Sequence, residues 1–471
     1  MDYSNVPCLL ETDVLVAGAG IAGCSAAIAS ARRGVNTLLV ESGGVLGGAI
    51  TQGHVAPISA MYSKTQKVRF DGIVWDIIRR SEDYAKKYAG ATTRFDLATE
   101  MYKYSLLTLV NESGAKILFH AFLTDVVNKD NGDVDYVIVA TKEGLRKIKA
   151  KMFIDTTGDG DLMGKSKADT VIGSEPGVLG TLQNEKGEMN ADTPFEVKKD
   201  DYSGKVQPCS LMFRMANVDV KLGTKYMNRK LTYKDLGITK EDFLNWEYAN
   251  SKGFEVTDSD IVPMPQGRVW ICQSIHEGEA IVNMSRIIDV NACDALSYSD
   301  GELMAGLQLI PIISFLKTFI PGFKDGYIVD SSSSLGVRES RRLVGDYVLT
   351  GRDAVSCKKF DDAVAYGSYI IDIHDPTGKR MAIGGHVDGE YYYIPYRTLI
   401  TSKVKNLGTA GRSISADHVA TSSTRIQGTA SLTGEAIGAA AAMAVKKGIG
   451  LPDINTDELR KDLKAGGMFI D

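Results

Sequence analysis

The chain has 471 residues, of which 44% are hydrophobic and 24% charged, and its formal net charge is −5. This composition is typical of a globular protein and excludes the collagen-like, disordered and disulfide-scaffold classes. Mild acidity argues against nucleic acid as the main partner, because phosphate binding needs a basic surface. At roughly 150 residues per domain, the length predicts two or three domains.

Cysteine spacing and the N-terminal residues both favour a reducing, cytoplasmic location. None of the six cysteines forms a CxxC pair, so the usual spacings of zinc and dithiol sites are missing. The first residues are acidic and polar, unlike the basic start of a signal peptide. No uncharged apolar run reaches the roughly 18 residues that a membrane span needs, so we expect no integral membrane segment.

The N-terminal residues predict one βαβ unit. An apolar strand over 12–17 leads into a glycine turn, an alanine-rich helix over 24–33 follows, and a second strand over 36–40 ends at Glu41. In such units the three turn glycines allow a tight turn, approach of a pyrophosphate and close helix packing, while the acid meets a ribose. This pattern predicts dinucleotide binding, and a glycine turn with a purely structural role is the alternative.

A second glycine-rich turn follows over 42–51. This turn favours FAD over NAD, because it suits a cofactor whose diphosphate and flavin extend further over the protein. A flexible surface loop is the competing interpretation.

Further along, we predict a strand over 116–123, in which His120 has a structural role, and a hairpin formed by 134–142 and 146–154. That hairpin ends in Thr-Gly-Asp-Gly-Asp at 157–161, at the edge where open α/β sheets bind ligands. A calcium loop is the alternative for these acids, but the EF-hand glutamate is missing and we expect no metal.

The middle of the chain predicts a separate domain. A polar excursion over 185–205 precedes strands over 210–214 and 280–284. The apolar stretch 304–323, interrupted by two prolines and a lysine, predicts a buried, kinked helix, with a membrane-surface patch or a substrate funnel as alternatives. The C-terminal region then returns to a strand and glycine turn over 405–412 and an alanine-rich helix that begins at 428.

These motifs, in their order, resemble those of the FAD-dependent oxidoreductase family, whose fold is that of glutathione-reductase-type flavoproteins. The resemblance covers about residues 12–447 and includes the segments at 18–23, 47–48, 155–161, 336–342, 372–376, 394–397 and 410–412. Its relatives include fumarate-reductase-type and geranylgeranyl-reductase-type flavoproteins. It implies an α/β fold: a Rossmann-like FAD-binding domain with a three-layer ββα architecture and an inserted α+β substrate domain. We expect the FAD domain over 1–170 plus 401–450, the substrate domain over 171–400 and a C-terminal tail over 451–471.

The resemblance also implies which residues hold FAD. Glycines of the first turn would hold the pyrophosphate, Glu41 the adenosine ribose, and the second turn the diphosphate and the isoalloxazine. The predicted cofactor-binding residues are Gly18, Gly20, Ala22, Gly23, Glu41, Ser42, Gly47, Gly48, Thr51, Leu123, Thr157, Gly158, Gly411, Arg412, Thr429 and Gly434.

Four residues are candidates for the chemistry. His54 follows the second glycine turn and His418 follows the turn at 411–412, so either is a candidate base or substrate ligand, with a structural role as the alternative. His54 is also a candidate for covalent attachment of the flavin. Arg338 lies in a basic cluster with apolar flanks, where at least one arginine should be buried beside Glu339, and Arg425 is a similar candidate near the flavin. Arginines at such sites anchor anionic or polyhydroxylated substrates.

The sequence therefore predicts an FAD-dependent oxidoreductase that transfers a hydride between flavin N5 and a carbon atom of a small polar substrate, as dehydrogenases and oxidases do. The sequence has neither a second GxGxxG, which would indicate an internal nicotinamide-binding domain, nor a CxxC dithiol. Electrons must therefore pass to an acceptor that the sequence does not identify. An enoate or polyprenyl reductase is one alternative, and a flavin-binding protein without redox turnover is another. The oligomeric state stays open, a homo-oligomer included.

Overall fold

A computed structural model describes residues 3–55, 57–94, 97–175, 204–376, 383–385 and 387–471. The polar excursion predicted over 185–205 lies outside these ranges except for its last two residues. The strands are β1 (Cys8–Ala17), β2 (Thr37–Val40), β3 (Lys116–Leu118), β4 (Phe122–Asn128), β5 (Val134–Thr141), β6 (Gly144–Asp155), β7 (Thr170–Ile172), β8 (Phe213–Ala216), β9 (Ile271–Gln273), β10 (Glu279–Val282), β11 (Tyr327–Ser331), β12 (Arg341–Leu343), β13 (Ala363–Gly367), β14 (Ile371–Ile373), β15 (Ile383–Gly385), β16 (Tyr392–Pro395) and β17 (Leu407–Thr409). The helices are α1 (Ile21–Arg32), α2 (Ile73–Tyr88), α3 (Thr99–Glu112), α4 (Asp161–Lys165), α5 (Val220–Gly223), α6 (Lys240–Leu244), α7 (Ala295–Phe319), α8 (Gly351–Val355), α9 (His418–Thr424), α10 (Gln427–Lys447) and α11 (Thr456–Ala465).

A seven-stranded sheet carries the predicted βαβ unit. Strands β3, β2, β1, β6 and β17 pair in parallel, and β5 and β4 continue the sheet antiparallel from β6. The β-branched, apolar residues at the end of β1 are fully buried, as expected for a strand covered on both faces. The carboxyl ends of β1, β2, β6 and β17 therefore meet at one edge, where the glycine turns lie. The predicted α/β, Rossmann-like fold is confirmed.

Helices α1 and α10 pack directly against one another. Gly434 and Gly438 of α10 face the backbone of Ala22 and Ala26 of α1, where an added Cβ would come within 2.1 Å and 2.3 Å of the respective carbonyl oxygens. Two glycines four residues apart lie on the same helix face, so they allow the backbones to approach closely. This contact brings the N-terminal and C-terminal halves of the sequence together.

The strand predicted over 116–123 is wrong as a single element, because the chain turns between β3 and β4. His120 has a left-handed backbone (φ 53°) and its N–H donates to the Gly43 carbonyl at 3.1 Å. On either side, Leu118 O accepts from Glu41 N–H and Ala121 N–H donates to Glu41 O. The chain thus bends around the end of β2 before it enters the antiparallel part of the sheet.

A second core is formed by the antiparallel sheet β11-β8-β10-β9 and by helix α7. Two of its strands, β8 and β10, lie within a few residues of the predictions over 210–214 and 280–284. The structure has a helix with Pro311 inside it, but this helix begins nine residues earlier than the apolar stretch and is only partly buried, since Leu303, Leu307 and Ile310 are exposed. By length and composition alone α7 could cross a membrane, and 39% of its most apolar window is buried inside the protein.

The hydrophobic core around the large sheet, here called the first core, also includes residues from outside its strands. Tyr366, Tyr392 and Leu459 belong to the same buried cluster as Val14 and Ile28. Segments between 349 and 400 and after 450 thus pack on the predicted FAD domain. The domain limits themselves stay a prediction.

Candidate functional site

The first glycine turn combines two tightly packed glycines with one that faces open space. A Cβ on Gly18 (φ 91°) would lie 2.5 Å from Thr156 O, and one on Gly23 would lie 1.9 Å from Gly18 O. A Cβ on Gly20 would meet no atom within 4 Å. Gly20 is the N-cap of α1 and provides no side-chain cap, so the first N–H groups of this helix stay available for an anion.

The second glycine turn lies directly against the first. Gly47 N–H donates to Ala19 O at 2.7 Å, and a Cβ on Gly48 would lie 3.1 Å from Gly20 Cα. Thr51 is buried, and its hydroxyl donates to Leu46 O at 2.7 Å. Thr51 therefore closes its own turn, and its predicted contact with the cofactor stays a prediction.

Glu41 holds the two turns in place. Its carboxylate accepts from Ala19 N–H at 2.9 Å, from Gly43 N–H at 2.8 Å and from the Ser42 hydroxyl at 3.1 Å. Because each carboxylate oxygen can accept two hydrogen bonds, acceptor capacity for a ribose remains. The side chain is 8% exposed, at the carboxyl end of β2.

Arg412 joins the glycine turn at 411 to two distant segments. Its guanidinium donates to Gly158 O at 2.8 Å, to Asp159 Oδ1 at 2.6 Å and to Val337 O. Gly158 (φ 86°) leaves room for it, because a Cβ there would lie 2.9 Å from Arg412 Nη2. The sequence did not single out Asp159 or Val337 as its partners.

The remaining predicted cofactor residues lie at the same edge of the large sheet or next to it. Thr157 N–H and its hydroxyl donate to Asp155 Oδ1 at 3.0 Å and 2.8 Å, and Gly411 N–H donates to the Thr433 hydroxyl at 3.1 Å. Leu123 is 7% exposed within β4. Thr429 is buried in the first turn of α10, whereas Gly434 lies at the crossing with α1, where helix packing accounts for the glycine.

The two predicted arginines come together in a cluster at the boundary of the two cores. Arg425 Nη2 lies 3.4 Å from Asp372 Oδ2, and Arg338 Nη1 donates to Pro208 O at 2.5 Å. Burial and the nearby charge of Arg425 lower the pKa of Arg338 to about 10. Pro208 and Asp372 were not assigned a role from the sequence.

His374 completes this cluster. Its ring Nε2 lies 3.4 Å from Asp372 Oδ2, and its backbone N–H donates to Gln207 Oε1 at 3.1 Å. Burial and the charge of Arg338 lower the pKa of His374 to about 3. Burial acts against ionisation of Asp372, but the hydrogen bond with His374 and the charges of His374 and Arg425 hold its pKa well below the ordinary value. Both residues belong to the family-like segment 372–376, the one signal that could have revealed them.

His418 lies in a fully buried ionic network. Its Nδ1 lies 2.8 Å from Glu339 Oε1, and Arg342 Nη1 donates to the same oxygen at 2.9 Å. All three side chains have no exposed surface. The prediction that an arginine is buried beside Glu339 is confirmed by Arg342. Gln207 N–H also donates to Glu339, at 3.1 Å, which links this network to the Arg338–Arg425 cluster.

His54 lies elsewhere, against the second sheet. It has a left-handed backbone (φ 53°), and its Nδ1 lies 3.5 Å from Asp330 Oδ1. Arg214 Nε donates to the same carboxylate at 3.0 Å. Burial lowers the pKa of His54, so the imidazole is neutral near pH 7. The structure thus brings Arg338 and Arg425 together, links His418 to them through Gln207, and places His54 in a separate contact.

Taken together, the two glycine turns suit a dinucleotide. Gly20 leaves an open space beside the uncapped N-terminus of α1, which is what a pyrophosphate requires, and the second turn lies next to it. The residues present therefore fit FAD.

Comparison with solved structures found matches at low identity and with TM-scores below 0.5. A geranylgeranyl bacteriochlorophyll reductase-like protein from Thermoplasma acidophilum is 16% identical, with 97% of this chain and 84% of that chain covered and a TM-score of 0.43. A myxobacterial chondrochloren halogenase is 12% identical, with coverages of 96% and 78% and a TM-score of 0.42. The p-nitrophenol 4-monooxygenase of Pseudomonas putida is 10% identical, with coverages of 96% and 84% and a TM-score of 0.42.

A search of curated proteins found no match. The family model described as "FAD dependent oxidoreductase" matches residues 13–463, nearly the whole chain. The protein therefore belongs to the FAD-dependent oxidoreductase family, and its cofactor is FAD.

Proposed function

We propose that this enzyme transfers a hydride between FAD and a carbon atom of a small, anionic substrate, as a dehydrogenase or oxidase does. FAD, when bound, supplies the hydride acceptor or donor. The observation that carries the proposal is the Arg338–Arg425 cluster, which holds two guanidinium groups against one carboxylate, that of Asp372.

The charge of this cluster favours an anion. Since His374 is neutral near pH 7, Arg338, Arg425 and Asp372 leave a net positive charge, to which the nearby Arg286 adds. The side chains of Arg425, Asp372 and His374 are 13%, 20% and 12% exposed, so a small molecule can reach them. An anion that enters would neutralise the remaining charge and accept charge-assisted hydrogen bonds.

The position of the cluster also supports the proposal. Arg412, which follows the glycine turn assigned to the flavin by family resemblance, donates to Val337 O, one residue before Arg338. A substrate held by Arg338 would therefore lie close to the residues that we expect around the flavin.

His54 is the proposed proton acceptor or donor, although its contact with Asp330 is separate from the Arg338–Arg425 cluster, because it follows the second glycine turn, which family resemblance assigns to the isoalloxazine. Its imidazole is neutral near pH 7 and can accept a proton, and the Asp330 carboxylate 3.5 Å away would stabilise the protonated form. His418 is fully buried, and its Nδ1 faces Glu339, which suits a role in holding the ionic network. We expect His54→Gln to lose turnover but to keep its affinity for the substrate, and that result would support this assignment.

The test is anaerobic mixing of the FAD-loaded enzyme with pools of small carboxylates and their neutral analogues. We expect one carboxylate pool to bleach the visible flavin spectrum, and Arg338→Gln or Arg425→Gln to raise the concentration needed. Arg352→Gln, an exposed arginine on α8, is the matched control and should behave like the wild type. Bleaching by NADH or NADPH alone would instead identify a reductase. Bleaching by no donor, or preference for a neutral analogue, would overturn the proposal.

A further inference from the structure

Gln207 is a buried side chain with an unused hydrogen-bond donor. It is fully buried, its Oε1 accepts from the backbone N–H of His374, and its own backbone N–H donates to Glu339 Oε2. Its Nε2 has no hydrogen-bond partner among the residues that the structure describes. A buried donor left without an acceptor costs roughly 1–3 kcal/mol, so an acceptor is expected beside it.

Arg425, from a distant part of the chain, presents a second unused donor in the same cluster. Its Nη2 reaches the carbonyl and carboxylate oxygens of Asp372, but its buried Nε is likewise without an acceptor in the described part of the chain. Arg338 donates to Pro208 O, the residue next to Gln207. Gln207 Nε2 and Arg425 Nε are therefore two buried donors of this cluster that have no acceptor among the described residues.

We propose that Gln207 Nε2, Arg425 Nε and the Arg338 guanidinium together bind one carboxylate group of the substrate, and that Gln207 is a specificity-determining residue. This inference rests on the proposed function, because it takes the ligand to be the substrate. A planar carboxylate matches the fork of a guanidinium, and its negative charge suits the net positive charge of the cluster. A neutral amide would bring its own NH₂ group toward these donors and should be rejected.

The first experiment measures stability and needs no substrate. In Gln207→Glu, one carboxylate oxygen replaces Nε2, so that the side chain itself supplies the negative charge that the bound carboxylate would bring. The other oxygen still accepts from the backbone N–H of His374. We expect the thermal midpoint of the FAD-loaded protein to rise. The matched control is Gln266→Glu, since buried Gln266 already donates to Asn283 Oδ1 at 2.8 Å and to Ser285 O at 3.1 Å. That substitution turns two hydrogen bonds into repulsions, so its midpoint should fall. A fall of the same size in Gln207→Glu would overturn the proposal.

The second experiment titrates the FAD-loaded protein with acetate and with acetamide at constant ionic strength. We expect acetate, but not acetamide, to shift the flavin spectrum or raise the thermal midpoint. Gln207→Leu should weaken acetate binding roughly 10- to 100-fold, the loss expected for one hydrogen bond to a charged group. Gln207→Glu should abolish the acetate response. Equal responses to both probes, or an unchanged acetate affinity in Gln207→Leu, would overturn the proposal. Since neither readout requires flavin reduction, failure of hydride transfer would leave these results unaffected and would count against the proposed function alone.

Discussion

The buried carboxylate of Glu435 predicts a specific dependence of stability on pH. Glu435 lies in α10, is 2% exposed, and its Oε2 accepts from Ile73 N–H, the first residue of α2, at 2.7 Å. Burial raises the pKa of Glu435 from 4.5 to about 7, against the opposing effects of the Ile73 hydrogen bond and of Arg33. An acid with a raised pKa binds more protons in the folded state, so its contribution to stability falls as the pH rises from about 4.5 to about 7.

The size of the effect follows from this difference in pKa. A change from 4.5 to about 7 corresponds to about 3 kcal/mol between the protonated and ionised states. Glu435→Gln keeps an oxygen acceptor for Ile73 N–H but cannot ionise. The free energy of unfolding of the variant, relative to the wild type, should therefore rise by about 3 kcal/mol between pH 4.5 and pH 8. Any cost of the amide itself is the same at both pH values and cancels.

The assay is thermal and chemical unfolding of FAD-saturated wild type and variant at several pH values. With about 2.1 cal/mol/K per residue, the entropy of unfolding of this chain makes 3 kcal/mol equivalent to about 3 °C in the midpoint. Glu241→Gln, at an exposed position in α6, is the control and should show the same difference from wild type at every pH. A difference for Glu435→Gln that does not change with pH would refute the reasoning.

Three further predictions, two of them with a paired control substitution, test the site and its packing. Gly20→Ala should fold with unchanged stability but bind FAD more weakly, because its Cβ enters the open space of the first turn. Gly23→Ala should instead destabilise the fold itself, because its Cβ would collide with the backbone of Gly18. FAD fluorescence titration and thermal midpoints distinguish the two variants, and an FAD affinity of Gly20→Ala equal to that of the wild type would contradict the assignment. Gly434→Ala should lower the thermal midpoint by forcing the two central helices apart, while Gly306→Ala, on an open face of α7, should raise stability by up to about 1 kcal/mol. Glu339→Gln should lower the free energy of unfolding by roughly 1.5–3 kcal/mol in denaturant titrations, because Arg342 loses its fully buried counter-charge and keeps only Glu175 among the described residues, at 2.9 Å. A loss under about 1 kcal/mol would contradict the network.

The elements that local pattern predicted well are those in which neighbouring residues carry all the information. The strand before Gly18, the helix that ends at Arg32 with Gly34 beyond it (φ 77°), and the strand that leads to Glu41 follow from apolar runs, glycines and spacing within some thirty residues. The motifs that resemble those of the flavoprotein family then predicted the cofactor. The single strand predicted through His120 was wrong, because the turn there depends on hydrogen bonds with the distant end of β2.

What the sequence by itself determined is the dinucleotide turn, the flavoprotein family and the candidate residues Arg338 and Arg425. Only the tertiary structure decided what surrounds them. Gln207, Asp372 and His374 meet these arginines through long-range contacts, and no periodicity along the chain predicts such a meeting. The same holds for Gly434, whose role follows from the backbone of α1 across the helix crossing. Local patterns report which segment forms a helix or strand, whereas burial, charge balance and unused donors are properties of residues that folding brings together.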